Sequence, residues 1–391
     1  MPHLGSSASG PVSASDPPKQ FREGTHRIRP PEETWRAIQP ALLTAGVTRV
    51  ADITGLDGLG VPVFQAVRPA SRNLSVSQGK GLSMAAARVS AAMEALELWH
   101  AESLEHLPQV SMSAREMRRS AAIALDSLRW SVDALTIRNR MLAAPLQWVT
   151  ASSLLGGRDG FLPRAMLELD FTPSSPLVPR SFDLTSNGLA SGNCREEALL
   201  HALCELIERH GLALAERGRR RVALDSDGIP SAACGDLVAR VRGAGGKVAI
   251  WDLTWEAGIA VVLAEIALPD LPHVWRGSGC HPSPEVALSR ALTEAAQSRL
   301  TYIAGARDDL VLLAGAPSER DATRGFREPP ANRGLDDLGD LATPTLGGDL
   351  DAVLGRLAGL GYEPFAADLT RPEVGVAVVF AFTPGLLEAR H

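Results

Sequence analysis

The sequence predicts an α/β chain of the α+β, sandwich-like kind, built from an internally repeated strand–turn–helix unit that brings three acidic helices together on one site. Three observations predict it. Short runs rich in β-branched and apolar residues alternate along the chain with stretches of helical period. Glycine-rich turns separate the two kinds of segment. One helical pattern occurs three times, at Gly81 to Glu97, at Gly192 to Glu208 and, more loosely, at Gly279 to Gln297. At 391 residues the chain is longer than a usual domain, and residues 25–391 read as one large α/β domain or two intimate halves behind a tail.

The elements follow in order. Met1 to Gly24 is rich in Ser, Pro and Gly and has no apolar core of a secretion signal, so it is expected to be a disordered tail. Pro31 to Ala45 reads as a helix with Trp35, Ile38 and Leu42 on one side, and Pro40 is expected to kink or divide it. Val47 to Ile53 and Val61 to Val67 read as strands. Gly79-Lys80-Gly81 reads as a turn, and the first acid-bearing helix begins near Met84. Ser113 to Asn139 is expected to be an accessory helical stretch, Leu146 to Ser152 a strand and Val178 to Asp183 a short one. A turn at Ser191-Gly192-Asn193 precedes the second acidic helix, which begins near Glu196. Ile229 to Arg242 is a helix with Leu237, Val238 and Val241 inward. Strands Val248 to Leu253 and Ile259 to Ile266 follow, then the third acidic helix over Ser283 to Ala304. Residues 315–345 read as a long loop, Leu350 to Gly359 as a helix, and Gly361 to Leu369 and Val374 to Phe382 as closing strands.

Composition removes several function classes. Apolar residues make up 45% of the chain, enough for a sizeable core. The formal charge of −6 argues against a general nucleic-acid binder, which would show a basic face. No run of eighteen apolar residues occurs, so no membrane span is expected. Four cysteines, Cys194, Cys204, Cys234 and Cys280, lie scattered without a CxxC pair, which fits buried thiols in a reduced, cytoplasmic protein.

Aligned on Glu94, Glu205 and Glu294, the three helices carry Ala at the third and seventh positions before the Glu, and Glu97, Glu208 or Gln297 three positions after it. Positions three apart share a helix face, so each segment presents a two-pronged oxygen ligand. Glutamates at this spacing are most often a solvated face or surface ion pairs. Here Ala92 to Leu98 has no basic residue and Leu199 to Ile207 has only His201, while Ala, Leu, Ile and Met surround the acids. The acids therefore read as inward-facing, and buried carboxylates need a partner. Hard cations with a polyanion they neutralise fit an all-oxygen donor set. Ser90, Glu94 and Glu97 form one stripe; Glu197, His201, Glu205 and Glu208 form a longer one with Arg209 beside it; the third holds Arg290, Glu294 and Gln297, followed by Arg299 and Arg307. Asn187 and Asn193 lie just upstream of the second helix. Metal bound by carboxylates with arginines clamping phosphate is what phosphoryl transfer requires. None of the standard nucleotide-binding sequence patterns is present. His201 and His210 read as packing or hydrogen-bonding residues, and Trp99 as core.

The segments GKGLSMAAARVSAAMEALELW, SNGLASGNCREEALLHALCELIERH and ALTEAAQSRLTYIAGARDDL resemble the three signature blocks of the YcaO family. The resemblance implies binding of ATP and Mg2+ and activation of peptide backbone amides. It implies metal ligands at Glu94, Glu97, Glu205, Glu208 and Glu294, and nucleotide contacts at Arg27, Thr34, Lys80, Ser90, Asn187, Glu197, Arg209, Gln297 and Arg307. Glu208, Arg209 and Arg290 are the implied catalytic groups. Many azoline-forming members end in Pro-x-Pro-x-Pro, whereas this chain ends TPGLLEARH, and its third block resembles members that work with a TfuA partner. The resemblance thus points to thioamide formation on a peptide, with a TfuA-like or separate leader-binding partner and a homodimeric state. Azoline formation by cyclodehydration and a non-catalytic ATP-binding scaffold are the alternatives.

Overall fold

Three glycine-bearing strands each run straight into a long helix, and these units organise the computed structural model, which describes residues 16–118, 122–131, 142–172, 181–219, 221–306, 326–331 and 333–388. Helix α1 (Pro31–Thr44) is followed by a sheet of β1 (Arg49–Asp52), β2 (Val63–Val67) and β3 (Val76–Lys80), in that order, and β3 leads into α2 (Met84–Ala101). A second sheet starts with β4 (Gln109–Ser113), β5 (Pro145–Ser153), β6 (Gly160–Pro163) and β7 (Leu189–Gly192). Two single-turn helices, α3 (Ala114–Met117) and α4 (Arg164–Leu167), lie among these strands. Strand β7 leads into α5 (Arg195–Glu216). A third sheet holds β8 (Val222–Leu224), β9 (Lys247–Asp252), β10 (Ala260–Ala267) and β11 (Val274–His281), with α6 (Ala232–Gly243) between β8 and β9. Strand β11 leads into α7 (Pro284–Ala304). After α8 (Leu346–Gly359), β12 (Phe365–Asp368) and β13 (Ala377–Phe382) return to the second sheet, whose order is β4-β5-β12-β13-β7 with β6 also on β5. The ladders pairing these strands are all antiparallel, which places the chain on the α+β side of the expected class.

The repeated alanines and glycines have one physical reason. A Cβ on Gly79 of β3 would fall 1.9 Å from the Ala91 nitrogen and 2.4 Å from the Ala87 oxygen of α2. On Gly279 of β11 it would fall 2.1 Å from the Ala287 oxygen and 3.0 Å from the Ala291 nitrogen of α7. On Gly192 of β7 it would fall 2.6 Å from the Ala198 nitrogen of α5. Each helix thus lies backbone-to-backbone on the strand that precedes it, with its alanines fully buried in the seam. That contact sets how deep each helix sits and therefore where its acids emerge.

Several expectations need correction. Gly79-Lys80 and Ser191-Gly192, expected in turns, are the ends of strands β3 and β7, and β11 is a strand the sequence does not announce, because Gly and Ser suppress strand propensity; the glycines answer to helix contact instead. Helix α1 continues through Pro40, whose ring sits on the exposed side. Order begins before residue 25: Pro18 bridges to Thr345, Phe21 to Arg27, and Lys19 is buried, while residues 1–15 lie outside the described part. In the accessory stretch, α3 and a 3₁₀ turn at Leu125–Ser127 are the helical pieces, and residues 119–121 and 132–139 lie outside the described part. The expected short strand at 178–183 reduces to a bridge between Trp130 and Phe182, its first three residues lying outside. Within 315–345, the described residues include a 3₁₀ turn at Leu335–Asp337 with Leu335 and Leu338 buried, so this part packs onto the core. Among the described residues no helix is long and apolar enough to cross a membrane. All four cysteines are free, and burial pushes the thiols of Cys194 and Cys234 up to about 11, away from nucleophilic use.

Candidate functional site

The acidic faces of α2, α5 and α7 turn toward one another. Glu97 of α2 accepts hydrogen bonds from the Ser191 N–H (2.8 Å) and Oγ (3.1 Å) at the end of β7. Glu205 of α5 accepts from the Gly188 N–H at 3.0 Å and lies 3.8 Å from Arg209 one turn on. Glu208 accepts from Ser278 Oγ of β11 at 2.7 Å. Glu294 of α7 is paired with Lys80 Nζ, at the end of β3, at 2.7 Å. Glu97, Glu208 and Glu294 are therefore each anchored by a neighbouring unit of the repeat, which joins the three units around one centre, while Glu205 is held within its own unit.

The electrostatics of this centre are unbalanced toward negative charge. Burial, with the charges of Glu205 and Glu94, pushes the Glu97 carboxyl well above the usual range. Burial also raises Glu205 to about 7, against the pull of Arg209 and the Gly188 N–H. Glu208 is raised by burial and by Glu294, although Arg209 and Arg290 oppose the shift. Glu294 goes the other way: burial would raise it, but Lys80, Arg209 and Arg290 outweigh that and hold it low. Burial works against the charge of Arg209, and Glu205, Glu208 and Glu294 more than restore it. Three carboxyls whose pKa values are raised by burial and, at Glu97 and Glu208, further by neighbouring carboxylates form a site short of cations.

The basic and polar residues sit around the same centre. Arg290 donates to His201 Nε2 at 2.7 Å; since a guanidinium only donates, His201 is neutral with its proton on Nδ1. Burial, then Arg290, Arg27 and Lys80, depress the His201 pKa strongly. Arg27 Nε approaches Glu197 at 3.5 Å, and Glu197 also receives the Ile28 N–H (3.3 Å) and Asn193 Nδ2 (2.9 Å). Thr34 donates to Asn193 Oδ1 at 2.8 Å, so the two N-terminal residues seven apart converge on α5 through one Asn–Glu hub. Ser90 is half-buried on α2, one turn before Glu94. Among the described residues, the buried side-chain atoms without a hydrogen-bond partner include Arg209 Nε, Arg290 Nε and Gln297 Oε1.

Two of the expected residues are placed differently and one is not placed. Asn187 reaches Glu388 of the C-terminal segment (3.3 Å) and not the acidic centre directly. Arg299 is buried in ion pairs with Asp57 and Asp270, a structural role. Arg307 lies outside the described residues. Sequence reasoning missed Arg129 and Glu388. Arg129 donates to the Asn187 carbonyl at 3.1 Å and is ion-paired with Glu388; burial lowers its pKa against the pull of Glu388 and Glu205, which puts it beside the acids. Both come from irregular segments where no periodicity marks a facing side chain. His210 accepts the Leu387 N–H at 2.9 Å and packs on Trp255, as a structural histidine does.

The donor set fits magnesium and a phosphate chain. Carboxylate oxygens predominate, their raised pKa values favour an added positive charge, and two partnerless guanidinium Nε atoms belong to arginines at the same centre. Residues 78–387 match the model of one family, described as YcaO cyclodehydratase, ATP- and Mg2+-binding. This chain belongs to the YcaO family. An uncharacterized protein of Mycobacterium tuberculosis is 43% identical over 294 residues, covering 74% of this YcaO chain and 65% of its own length, so the match spans just under two-thirds of that relative. An uncharacterized protein in the tfuA 3′ region of Rhizobium leguminosarum bv. trifolii is 41% identical over 294 residues, 71% of this chain and 68% of that protein. Among solved structures, YcaO from Methanopyrus kandleri bound with AMPPCP and Mg2+ superposes with a TM-score of 0.73 at 24% identity, covering 94% of both chains. At that identity the likeness establishes the YcaO fold.

Proposed function

We propose that this protein activates a peptide backbone amide by moving the γ-phosphoryl group of ATP onto the amide oxygen, and that the product is a thioamide. The observation that carries the proposal is the convergence of Glu97, Glu205 and Glu208, with raised pKa values, on Arg209, Arg290 and Lys80. Glu94, Glu97, Glu205, Glu208 and Glu294 would hold Mg2+, which when bound neutralises phosphate charge. Arg209 and Arg290 would meet charge on the transferring oxygens, and Arg27 and Thr34 would meet the nucleotide from the N-terminal side. Glu208, fixed by Ser278, is the acid that links the metal-binding face to the arginines.

A sulfide sulfur adds to the amide carbonyl carbon and gives up its proton. The amide oxygen takes the phosphoryl group, ADP leaves, and collapse of the adduct expels phosphate with the former amide oxygen and leaves C=S. No redox change occurs. Sulfide and peptide would be brought by a TfuA-like partner, a reading supported by the relative in the tfuA 3′ region. The family's description as cyclodehydratases supports a second reading, in which a Cys, Ser or Thr side chain of the peptide is the nucleophile and an azoline forms.

Calorimetric titration with a non-hydrolysable ATP analogue tests the site. Binding that depends on Mg2+ in the wild type and is lost in Glu205→Gln is expected; undiminished binding in that variant would sink the assignment. The product is read by mass spectrometry of a peptide treated with ATP, sulfide and partner. Sulfur in place of oxygen supports the thioamide, and loss of one water supports the azoline.

A further inference from the structure

A second buried ionic cluster lies beside the site. Lys19 Nζ is 2.5 Å from Asp349 Oδ2 in the first turn of α8 and 3.0 Å from His26 Nδ1, with no exposed surface on either the Lys19 or the Asp349 side chain. Asp349 Oδ1 accepts from the Thr343 N–H at 2.6 Å and its hydroxyl at 3.1 Å. The His26 ring meets His281 edge-on at 4.9 Å, and His281 Nδ1 accepts the Ser283 N–H at 2.9 Å where β11 turns into α7. His26, His281 and Asp349 bring three ligand atoms within 4.8 Å of one another, the spacing of a small metal site. Here, however, the cation is carried by the chain: the Lys19 ammonium contacts two of the three ligands, and a metal ion would have to drive it into an apolar interior.

The cluster closes a short hairpin. Arg27 N–H donates to the Phe21 carbonyl at 2.9 Å, and the Gln20 and Phe21 N–H groups both donate to the Arg27 carbonyl at 3.0 and 3.1 Å. Its tip, Gly24, has a positive φ of 68° and is wedged against Leu82 and Ser289, ahead of α2 and within α7. The residue after His26 is Arg27, whose guanidinium faces Glu197.

We propose that Lys19, locked by Asp349 and His26, is a positioning residue for the nucleotide: it clamps the 18–27 hairpin onto α8 so that Arg27 is presented to ATP. The inference rests on the reading that Arg27 contacts the nucleotide, and the test separates the two. Mg2+-dependent affinity for a non-hydrolysable ATP analogue is measured in Lys19→Met, Arg27→Ala and the double variant, with amide hydrogen exchange of residues 18–28 followed in each. Lys19→Met is expected to weaken binding at least about fivefold and to raise exchange in the hairpin, while adding nothing in the Arg27→Ala background. Asp349→Asn, expected to behave in the same way, serves if Lys19→Met does not fold. An unchanged affinity in Arg27→Ala overturns the nucleotide role of Arg27. A weakened Arg27→Ala beside an unchanged Lys19→Met overturns the clamp alone. Zinc binding to the wild type that disappears in Asp349→Asn overturns it in favour of a metal site.

Discussion

The acidic centre and the Lys19–Asp349 cluster are both buried carboxylate sites in one chain, and they are charged in opposite ways. At the centre, Glu205 is raised to about 7, and burial with two neighbouring glutamates raises Glu97 well above the usual carboxylate range. At the cluster, burial would raise Asp349, but His26, Lys19 and the Thr343 N–H outweigh it and bring it down to about 2. Arg68 and Glu102 form a third buried site of the second kind, with Ser71 and the Arg72 N–H completing the carboxylate's partners. The contrast teaches how to tell an ionic site that holds the fold from one that holds a ligand. In the first, the chain supplies the full counter-charge; in the second, it supplies too little, and carboxyls are left facing one another with raised pKa values.

The comparison breaks most sharply on removal of one acid from each place. Asp349→Ala strands the buried Lys19 ammonium and is expected to cost about 3–5 kcal/mol, read from the urea unfolding midpoint. Glu205→Gln is expected to act in the other direction on the ligand-free protein, stabilising it by about 2 kcal/mol at pH 7, because the wild-type carboxyl is driven toward ionisation where it is unwelcome. The same variant should lose the rise in melting temperature that Mg2+ with an ATP analogue gives the wild type. If both variants destabilise, the two clusters are the same kind of site and the contrast fails.

pH sharpens it further. The folded pKa of Glu205 lies above its ordinary value of 4.5, so the native state binds more protons than the unfolded state between there and about 7. Its contribution to stability is therefore present at low pH and is lost as pH rises through that window. Asp349 lies below its ordinary 3.8, so its contribution is present above that value and is lost as pH falls toward about 2. Melting curves across pH 2 to about 8 for Glu205→Gln and Asp349→Asn, each subtracted from wild type, should show slopes of opposite sign. The smallest effect is in magnesium affinity, which should climb to about pH 7 and then level, with proton release visible as a dependence of binding heat on the buffer. A pH-independent affinity would remove Glu205 from the ligand set.

The three acidic helices could be read in the sequence because their signal is local. Ala87, Ala91, Glu94 and Glu97 lie within three turns, and helical period alone puts them on related faces. The strands feeding those helices could not be read so, since Gly79, Gly192 and Gly279 look like turn residues until a helix backbone is laid against them. The segment holding Lys19 has the composition of a disordered tail, and its order comes from Asp349, more than three hundred residues away.

By itself, then, the sequence determined the three acid-bearing helices, the carboxylate spacing on each and the family they resemble, because each of these is a matter of residues within a few turns of one another. Tertiary structure alone decided how Glu97, Glu205, Glu208 and Glu294 are anchored around their shared centre, that Arg129 and Glu388 stand beside it, and which buried acids receive a chain-borne cation. Those are charge–charge distances between distant segments, and a buried charge is stabilised or strained by whatever the fold brings within a few ångströms of it.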